Sequence, residues 1–508
     1  MTPPAPAYSG AKGGAVMRIC IINTGGTITC TGSPLAPMPP ARFAQAVTDL
    51  LGPALAAALP GDSLHLDDGL RFSEHGPGVL DSTDLRPSDW CRMAGRVLDL
   101  YDDHDAFVIL HGTDTMDYSG AALSLLLNVT GRLGLPVATL SKPVILTGAQ
   151  LPLFLQTPQG LALNLGSDGL ANLTGALRAA RLRLPEVVVF FGGVLLRGNR
   201  ALKVSTTRFA AFDSPHLPPL AEVGITIRPG AAPALPGPAS GAHALDATPA
   251  RARVRAQLAA IAARIDDQRI VQIPAVPADH RAADPLLAQM IRAALAAGAT
   301  GLLLEGFGEG NIPAGDGAIE AALRKAPVPV VIASRAIGGQ VGAFHYAAGA
   351  WIAATGALPA GDMTPVAALA KLMILNAVAD HHGWDRATRD ALMIRSLAGE
   401  CTPTDRLQGP LLPGQSLTAA DGPVALVNDP ETGPCLTLHG RVLWQAPGPG
   451  LLRMRGDRLV LIAPDGHLAW ASAASPAPDA VAILTAHPPA LHLVDPAGEA
   501  VPVTLLPC

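Results

Sequence analysis

The sequence predicts an α/β protein with two open parallel sheets, followed by an all-β module. Short apolar runs alternate with Ala/Leu-rich helical patterns over residues 17–217, and the same alternation returns over 268–405. Beyond residue 405, short alternating runs are separated by Asp-Gly and Ala-Gly turns, without a long helical pattern. Similar segments at 424–444, 451–470 and 490–503 indicate an internal repeat in this last part.

Composition sets the expected domain boundaries. The predicted parts are a disordered Pro/Gly/Ala-rich leader at 1–16, an N-terminal α/β domain with the active site at 17–217, a linker and domain connection at 218–267, a second α/β domain at 268–405, and an all-β domain at 406–508. The connection is predicted because residues 229–252 are rich in Pro, Gly and Ala.

Composition also excludes several classes of function. The chain has 508 residues, is 49% hydrophobic and has a mean hydropathy of +0.32, yet it lacks the apolar run of about 18 residues that a membrane span needs. The formal net charge is −5 and the sequence has no basic cluster, which argues against nucleic acid and against an anionic membrane surface as binding partners. The N-terminal residues do not read as a secretory signal, so we expect a cytoplasmic protein.

The cysteines and histidines show no metal-ligand spacing. The cysteines are scattered, without CxxC or CxH patterns, which predicts neither structural zinc nor a disulfide framework and fits a reducing compartment. They are Cys20, Cys30, Cys91, Cys401, Cys435 and Cys508. The conspicuous histidines are predicted to be structural or exposed; they are His104, His111, His381 and His382.

A first candidate site follows the apolar run Phe107–Leu110. This predicted strand breaks at His111-Gly112, presents Thr113, Asp114 and Thr115, and leads into a helical pattern. Open parallel sheets bind ligands at such strand ends, and backbone N–H groups at a helix start receive anions or a developing oxyanion. The alternative is an ordinary turn in which Thr and Asp cap the helix.

A second strand end has a similar pattern. Ile19–Asn23 is a buried-type strand, followed by Thr24-Gly25-Gly26-Thr27, where glycines let the backbone approach a ligand. Two strand-end threonine turns in one α/β domain suggest a site with two candidate nucleophiles.

Several motifs together resemble one family, the bacterial asparaginase/glutaminase amidohydrolases, and most closely its cytoplasmic type I branch. The motifs are TGGTI at 24–28, DSTDLRPSDW at 81–90, HGTDTM at 111–116, KPVILTGAQLPL at 142–153, SDGLANL at 167–173, LLRGNRALK at 195–203, GFGEGNIP at 306–313 and DMTPVAALAKL at 362–372. The resemblance covers roughly residues 17–405. It implies the two-domain asparaginase fold, a homodimer or homotetramer, and no metal or organic cofactor.

The resemblance implies catalytic roles at four positions. Thr27 is expected to be the first nucleophile. Thr113, Asp114 and Lys203 are expected to form a second unit, in which a neutral lysine deprotonates a hydroxyl or a water molecule. Hydrolysis of an unactivated amide needs such a base, because a free threonine hydroxyl is a poor nucleophile.

The resemblance also implies how an amino-acid amide is bound. Asp114 is expected to bind the substrate's amino group, and Ser82 with its neighbour Thr83 the α-carboxylate. Asn311 is expected to reach the site of a neighbouring subunit. Taken alone, Ser82 and Asp84 could instead form a local turn with Asp81, and Lys203 could be one solvated lysine.

One departure from the family lies in the lid that follows Thr27. The family carries a tyrosine there that helps to activate the first threonine, whereas residues 29–38 of this chain contain none and Leu35 stands in its place. Thr27 is then activated in another way, or the activity is low, or the substrate is different.

The last hundred residues resemble the bulb-type mannose-binding lectins, a three-fold β-prism. PGQSL, GRVLW and GHLAW carry this resemblance. The lectin family reads sugar with a Gln-x-Asp-x-Asn-x-Val-x-Tyr run, of which this chain keeps only Val460 convincingly. Trp444 and Trp470 are expected to be core residues, so we expect a lectin-like fold that has lost its sugar sites.

We therefore predict an enzyme that converts L-asparagine and water to L-aspartate and ammonia. One alternative is a relative with another amide substrate, such as glutamine or an amidated tRNA, although the acidic balance argues against tRNA. Another alternative is a weakly active scaffold that binds a glycan or a protein through its lectin-like module.

Overall fold

A computed structural model describes residues 16–72, 78–342, 349–407, 409–420, 422–475, 480–486 and 488–494, and the backbone of 503–504. The predicted leader lies outside the described residues, apart from Val16. Among the described helices, none is long and apolar enough to cross a bilayer.

The first region is built from many short strands and five helices in the described part of the chain. Its strands are β1 (Arg18–Asn23), β2 (Cys30–Thr31), β3 (Ala36–Pro37), β4 (Ser63–Asp67), β5 (Ala106–Leu110), β6 (Val129–Thr130), β7 (Pro136–Ala138), β8 (Val144–Thr147), β9 (Phe154–Thr157), β10 (Gly160–Leu163), β11 (Val187–Phe191), β12 (Val194–Arg197), β13 (Leu202–Lys203), β14 (Phe212–Asp213), β15 (Ala221–Val223) and β16 (Ile227–Pro229). Its helices are α1 (Pro40–Ala58), α2 (Pro87–Asp99), α3 (Met116–Leu126), α4 (Gly169–Ala179) and α5 (Thr248–Ala262).

The second and third regions follow in chain order. The second consists of β17 (Ile270–Pro274), α6 (Leu286–Ala296), β18 (Gly301–Gly306), α7 (Ala318–Arg324), β19 (Val330–Ser334), α8 (Ala350–Ala353), β20 (Leu358–Pro359), α9 (Pro365–His382) and α10 (Arg386–Ile394). The third consists of β21 (Ser416–Thr418), β22 (Val424–Asp429), β23 (Gly433–Leu438), β24 (Arg441–Gln445), β25 (Leu451–Arg455), β26 (Arg458–Ile462), β27 (Leu468–Ala471), β28 (Val481–Ala486), β29 (Pro489–Val494) and β30 (Val503–Thr504).

The large sheet of the first region has the strand order β4-β1-β5-β8-β11-β12-β15-β16. The five strands from β4 to β11 are parallel, and β12, β15 and β16 are antiparallel at the other edge. Asn23 of β1 is in register with Leu110 of β5, which is in register with Thr147 of β8. The turns after these three strands therefore begin at the same edge, as expected for a mostly parallel sheet.

Both faces of this sheet are covered. Along β1, Ile19 and Ile21 belong to one core, whereas Cys20 and Ile22 belong to the core on the opposite face. Successive strand residues point to opposite faces, so a run that is apolar throughout is buried on both sides. This explains why β1 and β5 appear in the sequence as continuous apolar runs.

The segment 218–267, predicted as a linker and domain connection, carries a large share of regular structure. It contributes β15 and β16 to the large sheet, and it contains α5. In α5, Val254, Leu258 and Ile261 are buried. Their spacing is helical, but abundant Ala and Arg mask it when composition alone is considered.

The second region is a parallel four-stranded sheet with the order β17-β18-β19-β20. Helix α9 begins as predicted: the Thr364 side chain accepts a hydrogen bond from the Ala367 backbone N–H, and Pro365 occupies the first turn. Residues of α9 share one hydrophobic core with α2, α3 and α5 of the first region. The two α/β regions are therefore joined through α9.

The third region consists of three antiparallel sheets, which correspond to the three similar segments of the sequence. Trp444 is 7% exposed and lies in the core of this region, with the Trp470 ring 5.2 Å from its own. Trp444 is therefore a core residue, as expected, and the partly buried Trp470 packs against this core. Contact with the first region includes a hydrogen bond of 3.0 Å from the Arg406 guanidinium to the Gly134 carbonyl.

Candidate active site

Three turns pack together at the carboxyl edge of the large sheet, and glycines make this possible. Gly26 has a φ of 75°, and a Cβ added there would overlap the backbone of Gly112. A Cβ added at Gly112 would in turn overlap the Ser82 side chain. The turn with Thr27, the turn with Thr113 and the turn with Ser82 are therefore in contact.

Thr27 begins a short 3-10 turn, Thr27–Thr29, and its side chain is half-buried. The turn is held on both sides, because Ile28 is fully buried and its carbonyl accepts a hydrogen bond of 3.2 Å from the Leu153 N–H. Within the described part of the chain, the Thr27 hydroxyl has no hydrogen-bond partner. The backbone thus positions this hydroxyl without a neighbouring base.

Thr113, Asp114 and Lys203 come together as the motifs suggest. The Lys203 ammonium lies 2.7 Å from Thr113 Oγ1 and 2.6 Å from Asp114 Oδ1. The Lys203 side chain is only 13% exposed, whereas that of Asp114 is 56% exposed. One lysine therefore contacts both a buried hydroxyl and a carboxylate that is open to a ligand.

Two polar residues that the sequence analysis did not single out support this group. The buried Asp117 accepts a hydrogen bond of 3.2 Å from the Lys203 backbone N–H, and burial raises the pKa of its carboxyl. Gln150 Oε1 lies 3.5 Å from Thr113 Oγ1. Gln150 itself is fixed, because its backbone N–H donates to the Asp168 carboxylate at 3.0 Å. The motifs KPVILTGAQLPL and SDGLANL contained the signal for Gln150 and Asp168.

His111 is a neutral support beneath the Thr113 turn. Its Nδ1 donates to the Gly112 carbonyl at 2.6 Å, and its Nε2 accepts from Ser119 Oγ at 2.8 Å. The side chain is completely buried, and burial lowers its pKa to about 4. Because both ring nitrogens are engaged, His111 is not free to act as a base.

Ser82 and Thr83 differ in what they offer to a substrate. Ser82 is buried beside Gly112, and its carbonyl accepts a hydrogen bond of 2.8 Å from the Thr115 hydroxyl. Thr83 is exposed, and both its backbone N–H and its hydroxyl donate to Asp81 Oδ1 at 3.0 Å. The Thr83 hydroxyl is thus occupied in a local turn.

Asn311 belongs to the second region of the chain. It lies after β18, where its backbone N–H donates to the Phe307 carbonyl at 2.8 Å. Among the described residues, no hydrogen bond links it to Thr27 or Thr113, and its side-chain oxygen is buried without a hydrogen-bond partner.

The lid after Thr27 is a two-stranded antiparallel ribbon formed by β2 and β3. Leu35 lies at its turn and is 57% exposed. Cys30 is buried, and burial together with the charge of Asp81 raises the pKa of its thiol to about 11. Neither an exposed leucine nor a protonated thiol replaces the phenol of a tyrosine.

Comparison with known proteins relates this arrangement to one family. Residues 18–233 match the family model "Asparaginase, N-terminal", and residues 284–384 match "Glutaminase/Asparaginase C-terminal domain". L-asparaginase 1 of Escherichia coli strain K12 is 33% identical over 391 residues, which cover 76% of this chain and 98% of that protein. The human 60 kDa lysophospholipase is 34% identical over 332 residues, 64% of this chain and 49% of that protein.

A solved structure agrees with the sequence comparisons. L-asparaginase I of Vibrio cholerae matches with a TM-score of 0.57 and 32% identity, covering 76% of this chain and all of that one. With both family models in order along the chain, and with a relative matched over nearly its whole length, the chain belongs to the asparaginase family.

Proposed function

We propose that this chain is an amidohydrolase that converts L-asparagine and water to L-aspartate and ammonia through an acyl-enzyme on Thr27. One observation carries the proposal: Lys203 contacts both Thr113 and Asp114. The turn that contains these two residues packs directly on the Thr27 turn. These contacts support the proposed roles of Thr27 as nucleophile, of Lys203 as proton acceptor and of Asp114 as the carboxylate that binds the substrate's amino group.

In the first half-reaction, Thr27 Oγ attacks the side-chain amide carbon of asparagine. A carbon–oxygen bond forms, the hydroxyl proton passes to a water molecule of the solvent, and the carbonyl oxygen becomes an oxyanion that backbone N–H groups near the start of α3 stabilise. The intermediate then collapses, the carbon–nitrogen bond breaks, and the departing nitrogen takes up a proton from the solvent and leaves as ammonia. Thr27 remains as an ester of aspartate.

In the second half-reaction, water hydrolyses this ester. Lys203, whose Nζ is in contact with the Thr113 hydroxyl at 2.7 Å, accepts the proton from the attacking water through Thr113. The bond between the acyl carbon and Thr27 Oγ1 breaks, the proton held by Lys203 returns to Thr27 Oγ1, and aspartate is released. Each turnover thus consumes one amide and one water.

Asp114 and Ser82 are proposed to orient the substrate. Asp114 is the exposed member of its group, so its carboxylate is accessible to an ammonium, and charge-assisted hydrogen bonds of this kind are among the stronger ones. Ser82 is proposed to bind the α-carboxylate, and its packing on Gly112, next to Thr113, supports this role. Because the Thr83 hydroxyl is occupied by Asp81, we assign Thr83 a contribution through its backbone position only.

We also propose a homodimer or homotetramer in which Asn311 reaches a neighbouring subunit's site. Among the described residues, the side-chain oxygen of Asn311 is buried without a hydrogen-bond partner, which supports this proposal. A cytoplasmic location is supported by the five described cysteines, all of which are free thiols.

For residues 406–508 we propose a lectin-like β-prism without working sugar sites. Its three antiparallel sheets support the fold. The core position of Trp444, with the partly buried Trp470 packed against that core, argues against sugar platforms. We propose the domain boundaries given above, except that the first region extends beyond residue 217 and includes β15, β16 and α5.

A second candidate function is hydrolysis of another amide, such as glutamine. Leu35 favours it, because the lid of this family covers the substrate pocket and a tyrosine is absent from it. We propose asparagine as the first substrate, since the asparaginases are matched over nearly their whole length.

Ammonia release by the purified full-length chain, with L-asparagine and L-glutamine as parallel substrates, tests the proposal. We expect release from asparagine at the higher kcat/KM. Release from glutamine alone would establish the second candidate. If neither amide yields ammonia and the protein binds mannose-rich glycans on an array, a weakly active scaffold that binds a glycan would be the better account.

A further inference from the structure

A group of metal-ligand atoms lies on the first region, away from the threonine turns. Cys20, His65 and His104 bring their ligand atoms within 4.8 Å of one another. Cys20 Sγ is 3.9 Å from His65 Nδ1, and that nitrogen is 3.0 Å from His104 Nε2. These separations are close to the spacing of about 3.5 Å between neighbouring ligands of a tetrahedral metal with bonds of about 2.0–2.3 Å.

The sheet places two of the three ligands side by side. Cys20 of β1 and His65 of β4 are register partners in neighbouring parallel strands. His65 is exposed because β4 is the edge strand, so its ring is free to change rotamer around an incoming ion. His104 approaches from the loop before β5 and is 7% exposed.

His104 is already oriented as metal-bound histidines are. Its Nδ1 donates a hydrogen bond of 3.0 Å to the Leu100 carbonyl, which leaves Nε2 unprotonated and directed at the other two residues. In protein metal sites the second ring nitrogen of a ligand histidine is commonly held by a carbonyl in this way, which fixes the tautomer. This Nε2 accepts a hydrogen bond from His65 Nδ1 at 3.0 Å, and its lone pair becomes available to an ion once that His65 proton has moved.

We propose that Cys20, His65 and His104 bind a divalent metal ion of the zinc type, with water as the fourth ligand. One thiolate and two imidazoles suit zinc, and magnesium and calcium prefer oxygen ligands. The nearby carboxylate of Asp67 is engaged by the Arg96 guanidinium, so it is not available as a fourth ligand. Exposure on the His65 side leaves room for a water molecule.

Binding requires the loss of one proton. The metal–sulfur bond replaces the S–H bond of Cys20, and the proton passes to solvent. His65 now donates from Nδ1 to His104 Nε2; on binding, its proton moves to the solvent-facing Nε2, which changes the tautomer without changing the charge. No redox step is involved.

The site would act on structure and not on the hydrolysis itself. Cys20 is in the amino-terminal half of β1, and His104 precedes β5, whereas Thr27 and Thr113 follow the carboxyl ends of these strands. A bound ion would link β1, the edge strand β4 and the loop before β5. It would thereby tie the edge of the sheet to its interior.

Titration with Co²⁺, a spectroscopic substitute for zinc, tests this proposal on the untagged, chelator-treated full-length chain. We expect a thiolate-to-cobalt charge-transfer band and tetrahedral d–d bands that saturate at one equivalent. Cys20→Ser should abolish the charge-transfer band. Cys91→Ser is the matched control, because Cys91 is also a buried core thiol, at 4% exposure, and it should leave the spectrum unchanged.

An exposed ligand provides a second test that does not depend on core folding. His65→Gln should raise the cobalt dissociation constant at least about tenfold, because one ligand is lost. The proposal is overturned if the wild-type protein shows no thiolate–cobalt band, if the band persists in Cys20→Ser, or if His65→Gln binds cobalt as tightly as the wild type. If Cys20→Ser fails to fold, the His65→Gln result alone decides the question.

Discussion

The two threonine turns at the sheet edge follow similar strands but are prepared differently. Thr113 is buried and contacts an amine, and its neighbour Asp114 contacts the same amine. Thr27 is half-buried, and its hydroxyl has no partner among the described residues. A strand followed by a threonine turn therefore predicts where a hydroxyl lies, but not whether it can be deprotonated.

The difference arises from a distant segment of the chain. Lys203 follows a short turn, Gly198–Arg200, that is anchored to the end of the second region: Arg200 donates to the Gly399 carbonyl at 2.7 Å and pairs with Asp362 at 3.0 Å. The Asn199 amide donates to the Ala398 carbonyl at 2.7 Å. The second region thus positions the amine that contacts Thr113, whereas the Thr27 turn is held by glycine packing and by the backbone hydrogen bond from Leu153 to Ile28.

Removing the Lys203 amine should have the largest effect on kcat, because the Thr113 hydroxyl then lacks a neighbouring base, as the Thr27 hydroxyl does. We expect Lys203→Met to lower kcat for asparagine by about 10²–10⁴-fold, with a smaller change in KM, since proton transfer is lost and the binding groups remain. Lys142→Met is the matched control: Lys142 is 15% exposed and paired with Asp246 at 3.1 Å, outside the site. Equal kinetics in the two variants would refute the role of Lys203.

Neutralising the exposed carboxylate should separate binding from proton transfer. Asp114→Asn removes the charge that is proposed to hold the substrate's ammonium, a charge-assisted contact of about 1.5–3 kcal/mol. We expect KM to rise by roughly 10–100-fold, with a smaller change in kcat. Asp213→Asn, an exposed aspartate of β14, should behave as the wild type. An unchanged KM in Asp114→Asn would contradict the assignment.

His111, which is buried beneath the Thr113 turn, should make the stability of the fold depend on pH. The folded pKa of His111 is about 4, below its ordinary value of 6.5, so on acidification the unfolded chain takes up this proton first. Stability from this residue is complete above pH 6.5 and is lost as the pH falls toward 4, by about 3 kcal/mol in total.

Denaturant unfolding at several pH values between 6.5 and 4 measures this loss. His111→Gln, which cannot be protonated, should lose about 3 kcal/mol less than the wild type across the window. His467→Gln is the control, because the His467 side chain is 63% exposed and should follow the wild type. Identical slopes for the wild type and His111→Gln would show that His111 does not carry the effect.

Restoring a phenol to the lid should have the smallest effect and would sharpen the comparison. If Thr27 lacks only the family's tyrosine, Leu35→Tyr should raise kcat for asparagine several-fold, up to about tenfold. Leu35 is 57% exposed, so the substitution should not alter the core. Leu468→Tyr, at a position 51% exposed in the third region, controls for an added tyrosine. No gain in kcat would favour a substrate other than asparagine.

The sequence allowed the sheets, their ligand edge and the two threonine turns to be predicted, because continuous apolar strands and glycine turns are local signals. Helix α5 was missed, since its buried Val254, Leu258 and Ile261 lie among Ala and Arg. The cluster of Cys20, His65 and His104 was also missed. Its members are 45 and 39 residues apart, and only the parallel register of β1 and β4 brings the first two together.

Ammonia release from asparagine by Thr27→Ala, Thr113→Val and the double variant tests most directly whether the two turns form one active site. Residues that act as a unit have non-additive effects. We predict that each single variant loses at least about 10²-fold in kcat. The kcat of the double variant should equal that of the less active single variant. If the two losses multiply, or if Thr27→Ala retains wild-type activity with its fold intact, the account of one shared site is contradicted.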